Sequence, residues 1–174
     1  MKKILISLVL TALLAGGSHA IKVEKLPFMS DFYVGIVNGI GIGIDLGVRA
    51  IYPIEDLRFG LELEQIMSDV NYTMTLNATR LGACAGIKVN DNLTVFYHMG
   101  GFNFMPSRLY VYTDSNGNNY TLKENTNYKG TYWAVSADYL AWGFIITPRF
   151  VNNTIFDQGV VREIDVNIGK SFGF

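Results

Sequence analysis

One histidine, His98, lies beyond the first twenty residues of this chain, and the sequence holds two in all. A site built from several histidines is therefore excluded, because a transition metal held by imidazoles needs more than one. A lone histidine can still serve as a general base between a hydroxyl and a carboxylate. The side chains of the right type are Ser136 and Glu163, but no serine stands near His98-Met99-Gly100, and nothing in the spacing requires these residues to meet. Cys84 sits among small residues, with no histidine in its own run to draw off its proton, so it reads as a packed thiol. Gly39-Ile40-Gly41-Ile42-Gly43 has the glycine density of a phosphate loop, yet it is embedded in an alternating run and no helix follows. No catalytic, cofactor-binding or metal-ligating set is assigned, and no cofactor is expected.

The charged residues carry more information through their pattern. From Ile40 to Tyr52, Ile40, Ile42, Ile44, Leu46, Val48, Ala50 and Tyr52 alternate with Gly41, Gly43, Asp45, Gly47 and Arg49. A period of two is that of a strand, which sorts its side chains onto two faces. After Pro53-Ile54-Glu55-Asp56 the alternation resumes, with Leu57, Phe59, Leu61 and Leu63 opposite Arg58, Gly60, Glu62 and Glu64. Leu81, Ala83, Ala85, Ile87 and Val89 then oppose Arg80, Gly82, Cys84, Gly86 and Lys88. Past the Asn90-Asp91-Asn92 turn, Leu93, Val95, Tyr97 and Met99 oppose Thr94, Phe96, His98 and Gly100. Trp133, Val135, Ala137 and Tyr139 form another face, and Ile164, Val166, Ile168, Phe172 and Phe174 a last one, opposite Glu163, Asp165, Asn167, Gly169, Ser171 and Gly173. Lys170 interrupts that apolar face.

Lys2 and Lys3, the apolar run Ile4 to Leu14 and the small-residue site Ser18-His19-Ala20 read as a cleavable signal peptide over residues 1–20, with residues 21–174 as one domain. The apolar run is shorter than the roughly 20 residues a membrane-spanning helix needs. Removing Lys2 and Lys3 from the 14 basic residues leaves twelve against 15 acidic ones, a net charge of about −3, which gives no footing for nucleic acid. A single cysteine excludes an internal disulfide.

Eight strands are expected, at about residues 30–37, 40–52, 57–66, 79–89, 93–104, 130–138, 142–150 and 161–174. This count needs a type I′ turn at Asn38-Gly39 and a tight turn near Leu140; without them there are six. Eight antiparallel strands suffice to close a transmembrane up-and-down barrel whose interior is just filled by side chains. Short connections at Pro53 to Asp56, Asn90 to Asn92 and near Leu140 alternate with long ones at Met67 to Ala78, Met105 to Lys129 and Val151 to Val160, matching short periplasmic turns and longer extracellular loops. Tyr52, Tyr139 and Trp142 fall where an interfacial aromatic girdle would stand. With the apolar face toward lipid, Asp45, Arg49, Arg58, Glu62, Glu64, Arg80, Lys88, His98, Asp138, Glu163 and Asp165 point inward and are expected to form a lumenal salt-bridge network. The alternatives are a soluble periplasmic β-sandwich, which alternates in the same way with its faces reversed, and a narrow porin-like ion path along the network.

From the leader to the last residue, the chain resembles the small OmpA/OmpX-type outer-membrane β-barrels. The resemblance implies residence in the bacterial outer membrane among lipid and lipopolysaccharide. It further implies delivery by periplasmic chaperones and recognition of Ile164, Val166, Ile168, Phe172 and Phe174 by the barrel-assembly machinery. Some barrels of this size are lipid-modifying enzymes, an alternative that would require His98 to find a serine and an acid. Within Met105 to Lys129, Arg108 to Thr113 and Tyr120 to Leu122 flank Asp114-Ser115-Asn116-Gly117-Asn118, which predicts a hairpin projecting beyond the membrane. Its Tyr110, Tyr112 and Tyr120 are the candidate surface-recognition residues, suited to an adhesion-like role toward a host or cell-surface ligand.

Overall fold

The computed structural model describes residues 29–38, 42–70 and 74–173. The expected leader, Gly39 of the Asn38-Gly39 turn, and Phe174 of the C-terminal pattern lie outside them.

Eight long strands close into one barrel: β1 (Met29–Asn38), β2 (Ile42–Ile54), β3 (Leu57–Val70), β4 (Met74–Asn90), β5 (Leu93–Pro106), β8 (Tyr128–Ala141), β9 (Phe144–Ile155) and β10 (Gly159–Gly173). Each pairs antiparallel with its neighbour in sequence, and β10 returns to β1 through the register Met29↔Gly173 to Asn38↔Ile164. Closure leaves no sheet edge, so the backbone polar groups of the wall are paired within it, as a membrane interior demands. β6 (Tyr110–Thr113) and β7 (Asn119–Leu122) make a separate two-stranded hairpin inside the β5–β8 connection.

The three short turns are two residues long, because Ile54 pairs with Leu57, Asn90 with Leu93 and Ala141 with Phe144. Trp142 and Gly143 carry φ of 52° and 79°, the left-handed pair of a type I′ turn, whose twist matches that of the strands it joins. The turn expected near Leu140 thus lies slightly later, since Tyr139 to Ala141 continue the ladder. Pro148 has no amide hydrogen to give, and the β8–β9 ladder has a gap opposite Ala137 and Asp138. There the Thr147 hydroxyl donates to Asp138 Oδ1 at 2.9 Å.

At the opposite end the strands run further than the hydropathy pattern suggested. β3 and β4 pair as far as Val70↔Met74, and β9 and β10 as far as Gly159↔Ile155, so most of the two loops expected at Met67 to Ala78 and Val151 to Val160 is strand. In the β9 extension Val151, Asn153 and Ile155 are buried on the inner face while Asn152 and Thr154 interleave, so a mixed polar and apolar run hides the period of two. The Asn38-Gly39 turn is also revised: Val37 pairs with Gly43 and Asn38 with Ile42, so Asn38 belongs to the strand and the connection is longer than two residues.

Side chains alternate outward and inward along every wall strand. Ile36, Ile42, Leu61, Leu81, Met99, Ile164 and other large apolar residues are exposed outside. Asp45, Arg49, Glu62, Glu64, Arg80 and Asp165 are each at most 4% exposed inside. This polarity is the reverse of a soluble sandwich, whose apolar faces meet each other and whose charges meet water.

Candidate functional site

The lumen is stratified along the barrel axis. Toward the short turns, Ile51, Cys84 and Phe96 form a small apolar cluster against which Met29 packs. Toward the loop end, Phe102, Phe104, Tyr132, Ala134, Val151, Ile155 and Val161 pack with Tyr112 and Leu122 of the hairpin. The charged groups lie between these layers, held by three arginines.

Arg49 on β2 donates to Asp31 Oδ2 on β1 at 3.1 and 2.8 Å and to Asp138 on β8, with its guanidinium 4.4 Å from the Phe96 ring centre. Arg149 on β9 donates twice to Asp165 Oδ2, at 3.2 and 2.9 Å, and pairs with Glu64 on β3. It reaches Asp45 at 3.8 Å and Glu62 at 3.9 Å. Arg80 on β4 donates to Glu64, Asp165, Asn153 and Glu163. Two phenols complete the shell, Tyr33 donating to Glu64 Oε1 and Tyr132 to Glu62 Oε1, each at 2.6 Å. Forked guanidinium groups suit such a cluster because each can serve carboxylates on several strands at once.

Of the charged residues expected inside, Asp45, Arg49, Glu62, Glu64, Arg80, His98, Asp138, Glu163 and Asp165 take part in this network. Arg58 and Lys88 do not. Arg58 donates to the carbonyls of Glu55 and Leu57, at 2.6 and 2.9 Å, and Lys88 pairs with Asp91 at 2.7 Å. Both stand beside the short turns, where a long cationic side chain reaches water at less cost than burial. Lys88 also holds the exposed Asp91 carboxyl below its ordinary range by hydrogen bond and charge. The sequence reading missed Asp31 and Arg149. Arg149 occupies an inward position two residues from Val151, and extending the alternation of β9 through Thr147, Arg149 and Val151 would have found it.

His98 does meet a serine and an acid. Its Nδ1 is 2.9 Å from Glu62 Oε2 and its Nε2 is 2.8 Å from Ser136 Oγ. The acid is Glu62 on β3 and not Glu163, which binds Arg80. The barrel wall brings β3, β5 and β8 to one level, a convergence that sequence spacing does not reveal. The order acid–imidazole–hydroxyl is that of a hydrolase triad. However, Glu62, His98 and Ser136 are 2%, 1% and 2% exposed, between arginine salt bridges and apolar layers. A nucleophile needs a place for the reacting carbon and donors for the developing oxyanion. The cavity of about 40 Å³ higher in the lumen is lined by Val37, Ile66, Phe102, Phe104, Arg80 and Glu163 among others, and none of the triad residues lines it. Its two hydrogen bonds tie β3, β5 and β8 together inside the lumen.

The hairpin is present but does not project. Tyr112 is 7% exposed and Leu122 is fully buried, both in the loop-end cluster. Tyr112 donates its hydroxyl to the Gln158 carbonyl, and Ser115 its amide to the Val160 carbonyl at 2.8 Å. Asp114 gathers the amides of Asn116, Asn118 and Val160 at 2.9, 2.8 and 3.3 Å. Burial alone would raise the Asp114 carboxyl, and these amide bonds overcome it to hold the group below its ordinary range. Burial and the nearby Asp114 push the Tyr112 phenol up. Tyr110 and Tyr120 are half-buried and pack against the same cluster. The expected recognition tyrosines therefore face the barrel mouth, because the alternation that buries Leu122 points them the same way; Leu109, Val111, Thr113, Asn119 and Thr121 face outward.

Among the interfacial candidates, Tyr52, Tyr139 and Trp142 are outward and exposed near the short turns, Trp142 by 92%. Ile164, Val166, Ile168 and Phe172 line the outer face of β10, and Phe172 meets Phe32 edge to face at 5.9 Å.

A closed eight-stranded antiparallel barrel, apolar outside and packed with ion pairs inside, has the architecture of a transmembrane β-barrel. No family model matches the sequence, and no curated protein matches it either. Solved structures share the fold. The N-terminal β-barrel domain of OprF from Pseudomonas aeruginosa superposes with a TM-score of 0.57 at 11% identity, over 83% of this chain and 97% of that one. The Yersinia pestis outer membrane protein Ail, in a phospholipid bilayer nanodisc, gives 0.51 at 12% identity, over 83% and 99%.

Proposed function

We propose that this chain is an integral protein of the bacterial outer membrane that acts through its outer faces, as a structural or surface-interaction barrel, without catalysis or conduction. The observation that carries this reading is the closed lumen: an arginine–carboxylate network lies between two apolar layers, and the β6–β7 hairpin lies over the loop end. Ions would have to break paired, desolvated charges to pass, which argues against the narrow channel. The buried triad argues against a lipid-modifying enzyme. The exposed apolar wall suits lipid, and the loop end, lipopolysaccharide-facing in this reading, presents the outer side of the hairpin as the adhesion-like element. Export through a cleaved leader and insertion by the barrel-assembly machinery, guided by the outer face of β10, belong to the same proposal.

The test joins three measurements on membrane-extracted protein. Gel mobility without and with boiling, read beside circular dichroism, is expected to shift with heat and show β structure. Planar bilayers are expected to show no unitary steps. Cells displaying the protein are expected to lose attachment to a second surface when Val111, Thr113, Asn119 and Thr121 are replaced together. Solubility without detergent would overturn the membrane reading, steady conductance the closed lumen, and unchanged attachment the adhesion-like role.

A further inference from the structure

Lys170 stands on the outer face of β10, in line with Ile164, Val166, Ile168 and Phe172, and is exposed on that apolar wall. Across the β1–β10 ladder it pairs with Phe32, and one step beyond Gly169↔Ile145 it comes level with Phe144, the first residue of β9. Its ammonium lies 5.7 Å from the centre of the Phe172 ring, and Phe172 in turn meets Phe32 edge to face. Phe172 is nearer the short-turn end, so the long side chain leans away from the middle of the wall and toward the level of the exposed Tyr139 and Trp142.

The other outward strand residues with a charge and a described side chain, Lys129 and Arg162, belong to the loop end. Arg58 reaches backbone carbonyls and Lys88 has Asp91 at 2.7 Å, whereas no carboxylate of the described residues stands within 4 Å of Lys170. A charge on an apolar wall is costly where hydrocarbon surrounds it, and a lysine escapes that cost by extending its ammonium to the headgroup layer. With aromatic rings around its stem, the counter-charge has to come from outside the protein. A zwitterionic headgroup brings an ammonium of its own that cancels the gain, while a net-negative headgroup keeps it. The face of Phe172 holds the ammonium in place by a cation–π contact.

We propose that Lys170, with Phe32, Phe144 and Phe172 around its stem, is a seat for one phospholipid of net negative charge in the leaflet at the short-turn end. The ammonium takes the phosphate, and the rings pack against the start of the acyl chains. The seat rests on the membrane-embedded wall proposed above and adds a lipid preference to it.

The test folds the full-length protein into phosphatidylcholine vesicles with and without a minority of phosphatidylglycerol of the same chain length. Heat-dependent gel mobility first establishes that each variant has inserted. Urea midpoints then compare the wild type with Lys170→Gln and Lys170→Arg. Phosphatidylglycerol is expected to raise the wild-type folding constant about fivefold more than that of Lys170→Gln, the worth of one cation beside an anionic surface. Lys170→Arg should keep the rise, and concentrated salt should erase it. Arg58, Lys88, Lys129 and Arg162 are common to all three proteins, so their diffuse attraction to the same lipid cancels in the comparison. Native mass spectrometry of protein released from these vesicles is expected to find one phosphatidylglycerol on the wild type and none on Lys170→Gln. Barrels that insert but gain equally from the anionic lipid, or retain it equally, overturn the seat and leave the membrane reading standing. A wild type that does not insert overturns both.

Discussion

Arg149→Met would test whether the lumen behaves as a dry, interlocked cluster. The arginine is 3% exposed, donates twice to Asp165 and pairs with Glu64, with Glu62 and Asp45 within 4 Å. Methionine fills much of the same volume but leaves Asp165 and Glu64 dependent on Arg80 alone among the arginines. Removing one partner of a buried ion pair costs about 3–5 kcal/mol, because the abandoned charge loses its compensation. Arg149 serves several carboxylates, so the upper part of that range is expected, a loss of about three orders of magnitude in the folding constant. Replacing Glu64 by Gln and Asp165 by Asn in the same chain removes the abandoned charges and should recover most of the loss. The assay is equilibrium unfolding by urea in phospholipid vesicles, followed by the fluorescence of Trp133 and Trp142 on the outer wall. A loss below about 1 kcal/mol for Arg149→Met would refute the reasoning, since it would mean that water already screens the lumen as it screens a surface ion pair.

Two further outcomes follow from the site. The hairpin dock depends on ionised Asp114, whose folded-state carboxyl lies below its ordinary range. Its contribution is therefore full above the unfolded value of about 4 and is lost as pH falls through the lower folded value; the amide resonances of Asn116, Asn118 and Val160 should move together only in that acid range. Ser136 should resist a fluorophosphonate probe in the folded barrel despite its hydrogen bond to His98, and mass spectrometry showing stoichiometric labelling at Ser136 would restore the enzyme reading.

How much of this was legible beforehand varied with the kind of information each feature needs. The alternation around Ile40 to Tyr52 and Leu57 to Glu64 specifies strand, face and register together, because the side-chain period of two allows one apolar face to be hidden or presented as a unit. Turn residues placed two of the short connections, and Trp142-Gly143 escaped because tryptophan is an unusual occupant of a left-handed position. The extension of β9 toward Ile155 was missed because Asn152, Asn153 and Thr154 interrupt the apolar alternation there, although Val151, Asn153 and Ile155 all face inward.

The sequence by itself determined the strand character of the alternating runs, their apolar faces and the inward direction of most of the charges, all of which are local properties, while the count of eight rested on two turns that the structure moved. Tertiary closure decided the rest. Only when β10 meets β1 does Asn167 come to stand beside Gly35 and Asp45. The barrel's curvature alone brings Glu62, His98 and Ser136 from β3, β5 and β8 to within hydrogen-bonding distance. The direction of the hairpin was likewise undetermined by its turn, because a two-stranded ribbon can stand free or fold over. Burial of Leu122 and Tyr112 against Phe102, Phe104 and Val161 settles it, through apolar area that the hairpin cannot bury within itself.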